Sequence, residues 1–338
     1  MVEKGVGVVA RARVTAKDVA RQAGVSQSTV SYVLNDTPNQ KISEATRARV
    51  LAAAEEMRYA PSAAARALRL GASRMVLAVL PDAPIGSNIS MVMDRLSDDL
   101  EPHGYSVVYR RHRGSAMLER AWREVMPAAL VNLAAFSAED EEKIEAAGIV
   151  LVRAPMDDEG PGKLSISDMA IGRLQAAHLL ERGHRRLGYA APVDQRVFGY
   201  YGRRIAGVRE VCAAARVPEP VVVPLPLDVT EAAAAVAEWM SVPQEERITA
   251  VCAYNDEQAF ALLAGMRVLG LSAPHDLAVV GVDNVQLSPF AHPALTTVDI
   301  HSPAIADLLS QMVLTAITGG TVEGTAAPRA TLVRRDSA

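Results

Sequence analysis

The sequence predicts an α/β protein in two parts. A small all-α unit comes first, followed by a larger body of two lobes, each built on a doubly wound parallel sheet. Residues 14–59 read as short helices separated by turn chemistry. From residue 75 onward, short apolar runs alternate with helical stretches, and the alternation restarts after Asp168. That alternation is the pattern of parallel strands covered on both faces by helices. Charge divides along the same boundary. Residues 1–70 hold eleven Lys/Arg against six Asp/Glu, a balance of +5, and the remainder holds 24 against 33, a balance of −9, within a chain total of −4. A basic head on an acidic body fits a head that meets a polyanion.

Bulk properties narrow the class further. A chain of 338 residues calls for two or three domains, and 50% hydrophobic residues supply the core. Cys212 and Cys252 lie far apart without metal-ligand spacing, which suits a reducing compartment and argues against a disulfide framework. No run approaches the roughly 18 apolar residues of a membrane span, and residues 1–13 lack a signal-like apolar core. The expectation is a cytoplasmic protein with a flexible 1–13 tail and no membrane partner.

In the head, Thr15 is a good N-cap, and Asp18 three residues on completes a capping box. The helix over 16–22 turns Val19, Ala20 and Ala23 inward, and Gly24 supplies the positive φ of a tight turn. Ser26 caps a second helix to about Asn35, burying Val30, Val33 and Leu34. A polar loop over 36–41 contains Pro38. Ser43 then caps a third helix to about Met57, with Val50, Leu51, Ala54 and Met57 inward. Two short helices around Ala23-Gly24-Val25 form a helix-turn-helix over 14–60, whose second helix is of the kind that enters the major groove. Gln27 and Ser28 at its start, and Tyr32 one turn on, are candidates for base edges, since Gln pairs with adenine through two hydrogen bonds. Thr15, Lys17, Thr29, Ser31 and Asn35 are candidates for phosphate contacts, and Ser26 shares the same surface.

Pro61 ends the third helix and starts a short Ala-rich segment over 61–71, too short to be stable alone. In the body, strands are expected at 75–80, 105–109, 128–133 and 149–153, with helices at 91–103, 118–126 and 139–147 between them. After Asp168 come helices at 170–182, 203–214, 231–240 and 257–269, and strands at 186–191, 221–224, 250–253 and 277–282. Ligands of such sheets sit beyond the carboxyl ends of the strands.

The strings VTAKDVARQAGVSQSTVSYVLN (14–35) and KISEATRARVLAAAEEMRYAPS (41–62) resemble the headpiece of the lac and galactose repressor family. DMAIGRLQAAHLLERGHRRLGYA (168–190), RRIAG (203–207), YNDEQA (254–259), DLAVVGVDN (276–284) and HPALTTV (292–298) are similar to signatures of its body. The resemblance implies a periplasmic-binding-protein-like effector and dimerisation domain over 72–338, with an N-lobe of 72–165 and 295–322 and a C-lobe of 166–294 and 323–338. It also implies a hinge helix in which Ala65 approaches the minor-groove floor and Leu68 wedges a base step. Tyr32 stands where many members carry a base-reading Arg, and Ser62 replaces a common Asn.

By the same resemblance, Arg204 is the cleft arginine, Asp283 its acidic partner, Asn255 a strand-end amide and Asp168 an Asp between the lobes. Read as residues alone, Asp168 and Asn255-Asp256 also suit helix caps, Asp283 a turn, and Arg204 a surface helix. The segment 81–90 lacks the family's usual aromatics, and Val282 replaces another. Phe198, Tyr200, Tyr201 and Tyr254 are the available aromatic surface, and the basic run 109–113 is a solvated strand exit.

No phosphate-binding glycine loop and no His pair with zinc spacing is present, so neither an enzyme nor a cofactor is expected, and His178 and His184 are assigned to packing and capping. The expected function is a ligand-responsive repressor acting as a homodimer on a double-stranded DNA operator, its effector a sugar or related metabolite. No leucine heptad follows Leu332 to support a tetramer. The rivals are an activator or global regulator of the same fold and a small-molecule-binding protein without DNA function. A Leu68→Ala variant is expected to lose affinity for its operator far more than for random DNA. Equal loss on both duplexes in a binding titration would sink the wedge assignment.

Overall fold

The computed structural model describes residues 14–35, 40–59, 73–134, 136–154, 167–320 and 328–338. The expected tail 1–13, the tip of the 36–41 loop and the hinge, with Ala65 and Leu68, lie outside the described residues. The chain divides into two compact units, Met1–Ser73 and Arg74–Ala338.

The first unit holds α1 (Ala16–Ala23), α2 (Gln27–Leu34) and α3 (Glu44–Glu56). Each begins at an N-cap whose hydroxyl accepts from a backbone N–H, at Thr15, Ser26 and Ser43. At Thr15 the box is reciprocal, since its own N–H donates to the Asp18 carboxylate at 3.1 Å. Gly24 ends α1 in the left-handed region at φ 64°, which turns the chain into α2. Val19, Val30 and Val50, one from each helix, are fully buried at the centre. The inner stripe of α3 differs from expectation. Ala53 packs inward beside Val50 and Ala54, while Leu51 is 47% exposed. On a 3.6-residue helix, positions 50, 53, 54 and 57 share one face and position 51 lies about 100° away.

The second unit contains two sheets. β1 (Met75–Leu80), β2 (Ser106–Arg111), β3 (Ala129–Asn132) and β4 (Val150–Arg153) form a parallel sheet in the order β2-β1-β3-β4. Its helices are α4 (Ser87–Leu100), α5 (Ser115–Val125) and α6 (Ala138–Ala146). The second sheet runs β10-β9-β8-β7-β5-β6. Its strands are β5 (Leu187–Ala191), β6 (Val221–Pro224), β7 (Ala250–Ala253), β8 (Ala278–Val282), β9 (Thr296–Asp299) and β10 (Thr331–Val333), and only β10 is antiparallel. The helices α7 (Asp168–Glu181), α8 (Phe198–Ala214), α9 (Val229–Ser241) and α10 (Asp256–Val268) accompany it. The central strands β1, β5, β7 and β8 are buried almost throughout, as parallel strands covered on both faces must be.

Several boundaries depart from the sequence reading. Thr296–Asp299 was expected to start the return to the N-lobe, but it pairs with β8 in the second sheet through Val280↔Thr296. The return begins with α11 (Ser302–Ile317), whose Ala306, Leu309 and Val313 enter the core beneath β1 and β3. The helix expected from 203 starts at Phe198, because the Phe-Gly-Tyr-Tyr-Gly stretch continues the turn that Asp194 caps. The helix expected from 91 starts at Ser87, and residues 101–103 tighten into a 3₁₀ turn.

One packing detail positions the site. A Cβ on Gly172 of α7 would lie 1.9 Å from the carbonyl oxygen of Arg204, and a Cβ on Gly207 of α8 would lie 2.1 Å from that of Met169. The two helices therefore touch backbone to backbone, each through the other's glycine. A Gly207→Ala substitution is expected to destabilise the body by about 3 kcal/mol, because neither carbonyl can retreat without separating the helices. Calorimetric melting of the full chain checks it, and a wild-type melting temperature would refute the close-contact argument.

Candidate DNA-facing surface and ligand cleft

On the first unit, α2 presents its N-terminal turn to solvent. Gln27 and Ser28 are exposed, and Tyr32 one turn along is partly buried. The cap Ser26 Oγ lies 2.8 Å from both Ser28 Oγ and Thr29 Oγ1, so the three hydroxyls form one cluster. Lys17 is exposed on α1. Two other candidates are already engaged within the unit. Thr15 donates its hydroxyl to Asp18 at 2.7 Å, and the Asn35 amide donates to the Ser31 carbonyl at 2.6 Å, closing the end of α2.

In the second unit, strand order reverses between β1 and β3 and between β5 and β7. Ligand sites of open α/β sheets form beyond the strand ends at such reversals. A cleft of about 420 Å³ lies there, lined by the exits of β1, β3, β5 and β7 and by α4, α8 and α11. It brings together all four expected effector residues, Asp168, Arg204, Asn255 and Asp283.

Arg204 is the hub. Its Nε donates to Asp168 Oδ1 at 2.7 Å, its Nη1 donates to the Tyr254 carbonyl at 2.7 Å, and its guanidinium stacks 4.7 Å from the Tyr254 ring centre. Asp168 also accepts from Arg203 Nη2 at 3.2 Å. Both Arg204 and Asp168 are buried. Burial by itself lowers the Arg204 pKa, but Asp168 together with Tyr254, Asp283 and Tyr189 more than offsets it, so the net shift is upward and the guanidinium stays charged. The pair meets because Gly172 and Gly207 let α7 and α8 approach so closely. Ser167 is the cap of α7, which leaves the Asp168 side chain for Arg204.

Asn255 does cap α10, its Oδ1 accepting from the Gln258 N–H at 3.1 Å, and it also lines the cleft. Asp283 follows β8 with φ 107°, a conformation rare for a residue with a side chain. Burial pushes its carboxyl up to about 7, partly offset by the Arg204 charge; Asp256 and Glu257 push in the same direction as burial, and the nearby Asn88 amide opposes it.

Three residues escaped the sequence reading. Asp256 is fully buried and accepts from Ser288 Oγ at 2.5 Å, Thr297 Oγ1 at 2.6 Å and the Val285 N–H at 3.0 Å, pinning the loop that carries Asp283. Asn88 and Gln258 line the cleft, Gln258 with its buried Oε1 lacking a hydrogen-bond partner and Asn88 as a donor toward Asp283. No local sequence signal distinguishes these three from ordinary helix-end polar residues. Of the expected aromatics, Tyr200 and Tyr254 line the cleft. Phe198 and Tyr201 instead stack edge to face at 4.9 Å, outside its lining.

Elsewhere, His178 is buried in the C-lobe, His184 Nδ1 lies 2.9 Å from Thr249 Oγ1, and both cysteines are buried and free. Among the described residues no group of three His, Cys, Asp or Glu side chains suits a metal, and no helix is long and apolar enough to cross a membrane.

Residues 15–62 match the bacterial regulatory proteins of the lacI family, and residues 176–338 match the periplasmic binding protein-like domain. The HTH-type transcriptional repressor PurR of Escherichia coli O139:H28 is 30% identical over 300 residues, covering 86% of this chain and 85% of that protein. PurR of Photobacterium profundum is 28% identical over 299 residues, covering 86% and 87%. The fold matches that of a LacI-family transcriptional regulator from Silicibacter pomeroyi with a TM-score of 0.79 at 22% identity, over 96% of this chain and 99% of that one. It matches the lac repressor dimer bound to operator and the anti-inducer ONPF with a TM-score of 0.75 at 22% identity, over 96% and 99%.

The raised Asp283 pKa has a measurable consequence. The unfolded carboxyl releases its proton near pH 4 and the folded one near 7, so between those values the folded state binds more protons and stability falls as pH rises. An Asp283→Asn variant is expected to melt at a higher temperature than wild type at pH 7.5, with the difference closing toward pH 5. A melting-temperature difference that does not change with pH would show that Asp283 is ionised throughout.

Proposed function

The chain belongs to the lacI family of bacterial regulatory proteins and is a ligand-responsive DNA-binding transcriptional regulator, and from that premise we propose that it is a repressor acting as a homodimer whose operator affinity is set by a small molecule in the cleft. The observation that carries the DNA half is the exposed first turn of α2, held by the Gly24 turn and the Ser26 cap. In this reading Gln27, Ser28 and Tyr32 meet base edges in the major groove, while Lys17, Thr29 and Ser31 approach phosphates. Thr15, Ser26 and Asn35 act mainly by shaping those helices, since their side chains already serve caps. Two such headpieces match a pseudo-palindromic site about one helical turn between half-sites. The segment 61–71 supplies the hinge, with Ala65 and Leu68 in the minor groove. The protein works in the cytoplasm, where its DNA is, and carries out no catalysis.

The ligand half rests on the cleft at the strand ends, with Arg204, Asp168, Asn255 and Asp283 together on its wall. A ligand changes operator affinity only through differential affinity for two arrangements of the lobes. The relatives named as repressors, and the structural relative bound to operator as a dimer, favour repression by a dimer.

The test begins by selecting an operator from random duplexes with the full chain, then measuring its affinity with and without effector. Arg204→Ala is expected to abolish the ligand response and leave ligand-free operator affinity within about twofold. It also costs about 2 kcal/mol of body stability, because buried Asp168 loses the Arg204 guanidinium. A full ligand response in that variant would overturn the cleft assignment.

A further inference from the structure

The cleft is chemically two-faced. One wall comes from α4 and α11 and the exits of the first sheet, with Ile85, Ile89, Met93, Leu133, Ile305 and Leu309. The other comes from the second sheet and its helices and carries every charged side chain of the lining, with Arg204, Asn255, Gln258 and Asp283 set beside Ile171, Val197 and Leu225, while Asn88 is the polar exception on the first wall. On the polar side, Gln258 stands three residues after the Asn255 cap, the spacing of a capping box. Only half of that box forms: Asn255 accepts from the Gln258 N–H, while Gln258 Oε1 is buried with no partner in a side chain only 6% exposed. Asn88 reaches the Asp283 carboxyl as a hydrogen-bond donor that holds its pKa down, but its buried Nδ2 makes no bond of full geometry. Buried polar atoms are nearly always satisfied, so an acceptor without a partner, beside a donor only loosely held and lining the same cavity, points to an absent third party.

The charges of the lining say what that party is not. Its carboxylates are Asp168, Asp194, Glu257 and Asp283, against Arg204 as the cation among the lining residues. Asp168 is paired with Arg204 and Arg203, and Asp194 is paired with Arg196 at 2.7 Å. Asp283 and Glu257 have no ion-pair partner among the described residues. Arg204 has already committed Nε to Asp168 and Nη1 to the Tyr254 carbonyl, so its edge through Nε is taken and its charge is largely balanced by Asp168. An incoming anion would meet excess negative charge. A free hexose would turn hydroxyls toward Ile89, Met93 and Ile305, where nothing replaces their water.

We infer that the effector is an amphipathic amino alcohol without an anionic group, its apolar body against α4 and α11 and its amine and hydroxyl on Asp283, Gln258 and Asn88. This rests on the cleft reading above and adds the chemistry of its occupant. The head's two donors serve Asp283 and Gln258 Oε1, and the hydroxyl oxygen accepts from Asn88 Nδ2, so Gln258 Oε1 gains a partner and Asn88 a second one.

The probes are 2-amino-1-phenylethanol, its alkyl counterpart leucinol, and mandelate, in which a carboxylate replaces the aminomethyl group of the first. Glucose and glucose 6-phosphate represent sugars. Thermal shift and titration calorimetry on the full chain at pH 7.5 are expected to show binding of the amino alcohols at least about tenfold tighter than of mandelate or the sugars. Gln258→Leu and Asp283→Asn are each expected to weaken that binding about tenfold. Ile89→Asn on the opposite wall is expected to weaken 2-amino-1-phenylethanol comparably, so one misfolded variant does not decide the matter. Absence of binding by both amino alcohols overturns the inference. So does tighter binding of mandelate or a sugar: if Arg204→Ala removes that binding, the cleft is the site and only its chemistry is misread; if Arg204→Ala leaves it intact, the cleft reading fails as well.

Discussion

The backbone contact between α7 and α8 through Gly172 and Gly207 is the constraint on which the cleft depends. Because neither position carries a Cβ, the carbonyl of Arg204 and that of Met169 sit where side chains would otherwise hold the helices apart. The same approach brings the Arg204 guanidinium within 2.7 Å of Asp168 at the start of the facing helix. Burying two charges is costly unless each is paired and its remaining donors are used. Here the carboxylate takes two arginines, and Arg204 extends to the Tyr254 carbonyl at the exit of β7. One helix–helix contact thus fixes one wall of the cleft and ties it to the sheet.

A second buried carboxylate does for the β8–β9 connection what a crossover helix does elsewhere. The two strands are parallel yet joined without an α-helix, and Asp256 organises the intervening loop from the first turn of α10. Gly281 makes room for it, since a Cβ there would lie 2.1 Å from Asp256 Oδ1. The positive φ of Asp283 is tolerable because that loop is held from several sides at once. Strain is thereby stored at a residue whose carboxylate faces the cleft with its charge only partly compensated.

Legibility followed the range of the interactions. The headpiece was readable because its rules are local: Thr15 with Asp18, Gly24 in the turn, Ser26 and Ser43 before their helices. Leu51 was misplaced because a run of five apolar residues, Val50-Leu51-Ala52-Ala53-Ala54, does not by itself reveal the phase of the buried stripe. The early start of α8 was hidden by two glycines and three aromatics, residues of modest helix propensity that tertiary packing overrode. Thr296–Asp299 was assigned to the wrong lobe because sheet membership is decided by pairing with β8, which leaves no mark on four residues. In the cleft, Asp168, Arg204, Asn255 and Asp283 stand inside recognisable strings. Asn88, Gln258 and Asp256 become visible only when burial and missing or surplus partners can be counted.

The division of the cleft into an apolar and a polar wall bears on how a ligand can act as a switch. The wall without charges belongs to elements packed on the first sheet, and every charged lining residue belongs to elements of the second. A molecule that satisfies only one wall gains the same free energy however the lobes are arranged, and so shifts nothing. A molecule with an apolar body and a donor head gains fully only when both walls reach it, so its affinity necessarily differs between open and closed arrangements. The capacity to regulate thus lies in contact with both walls at once, and an occupant whose two ends match the two walls makes that contact fully in only one arrangement.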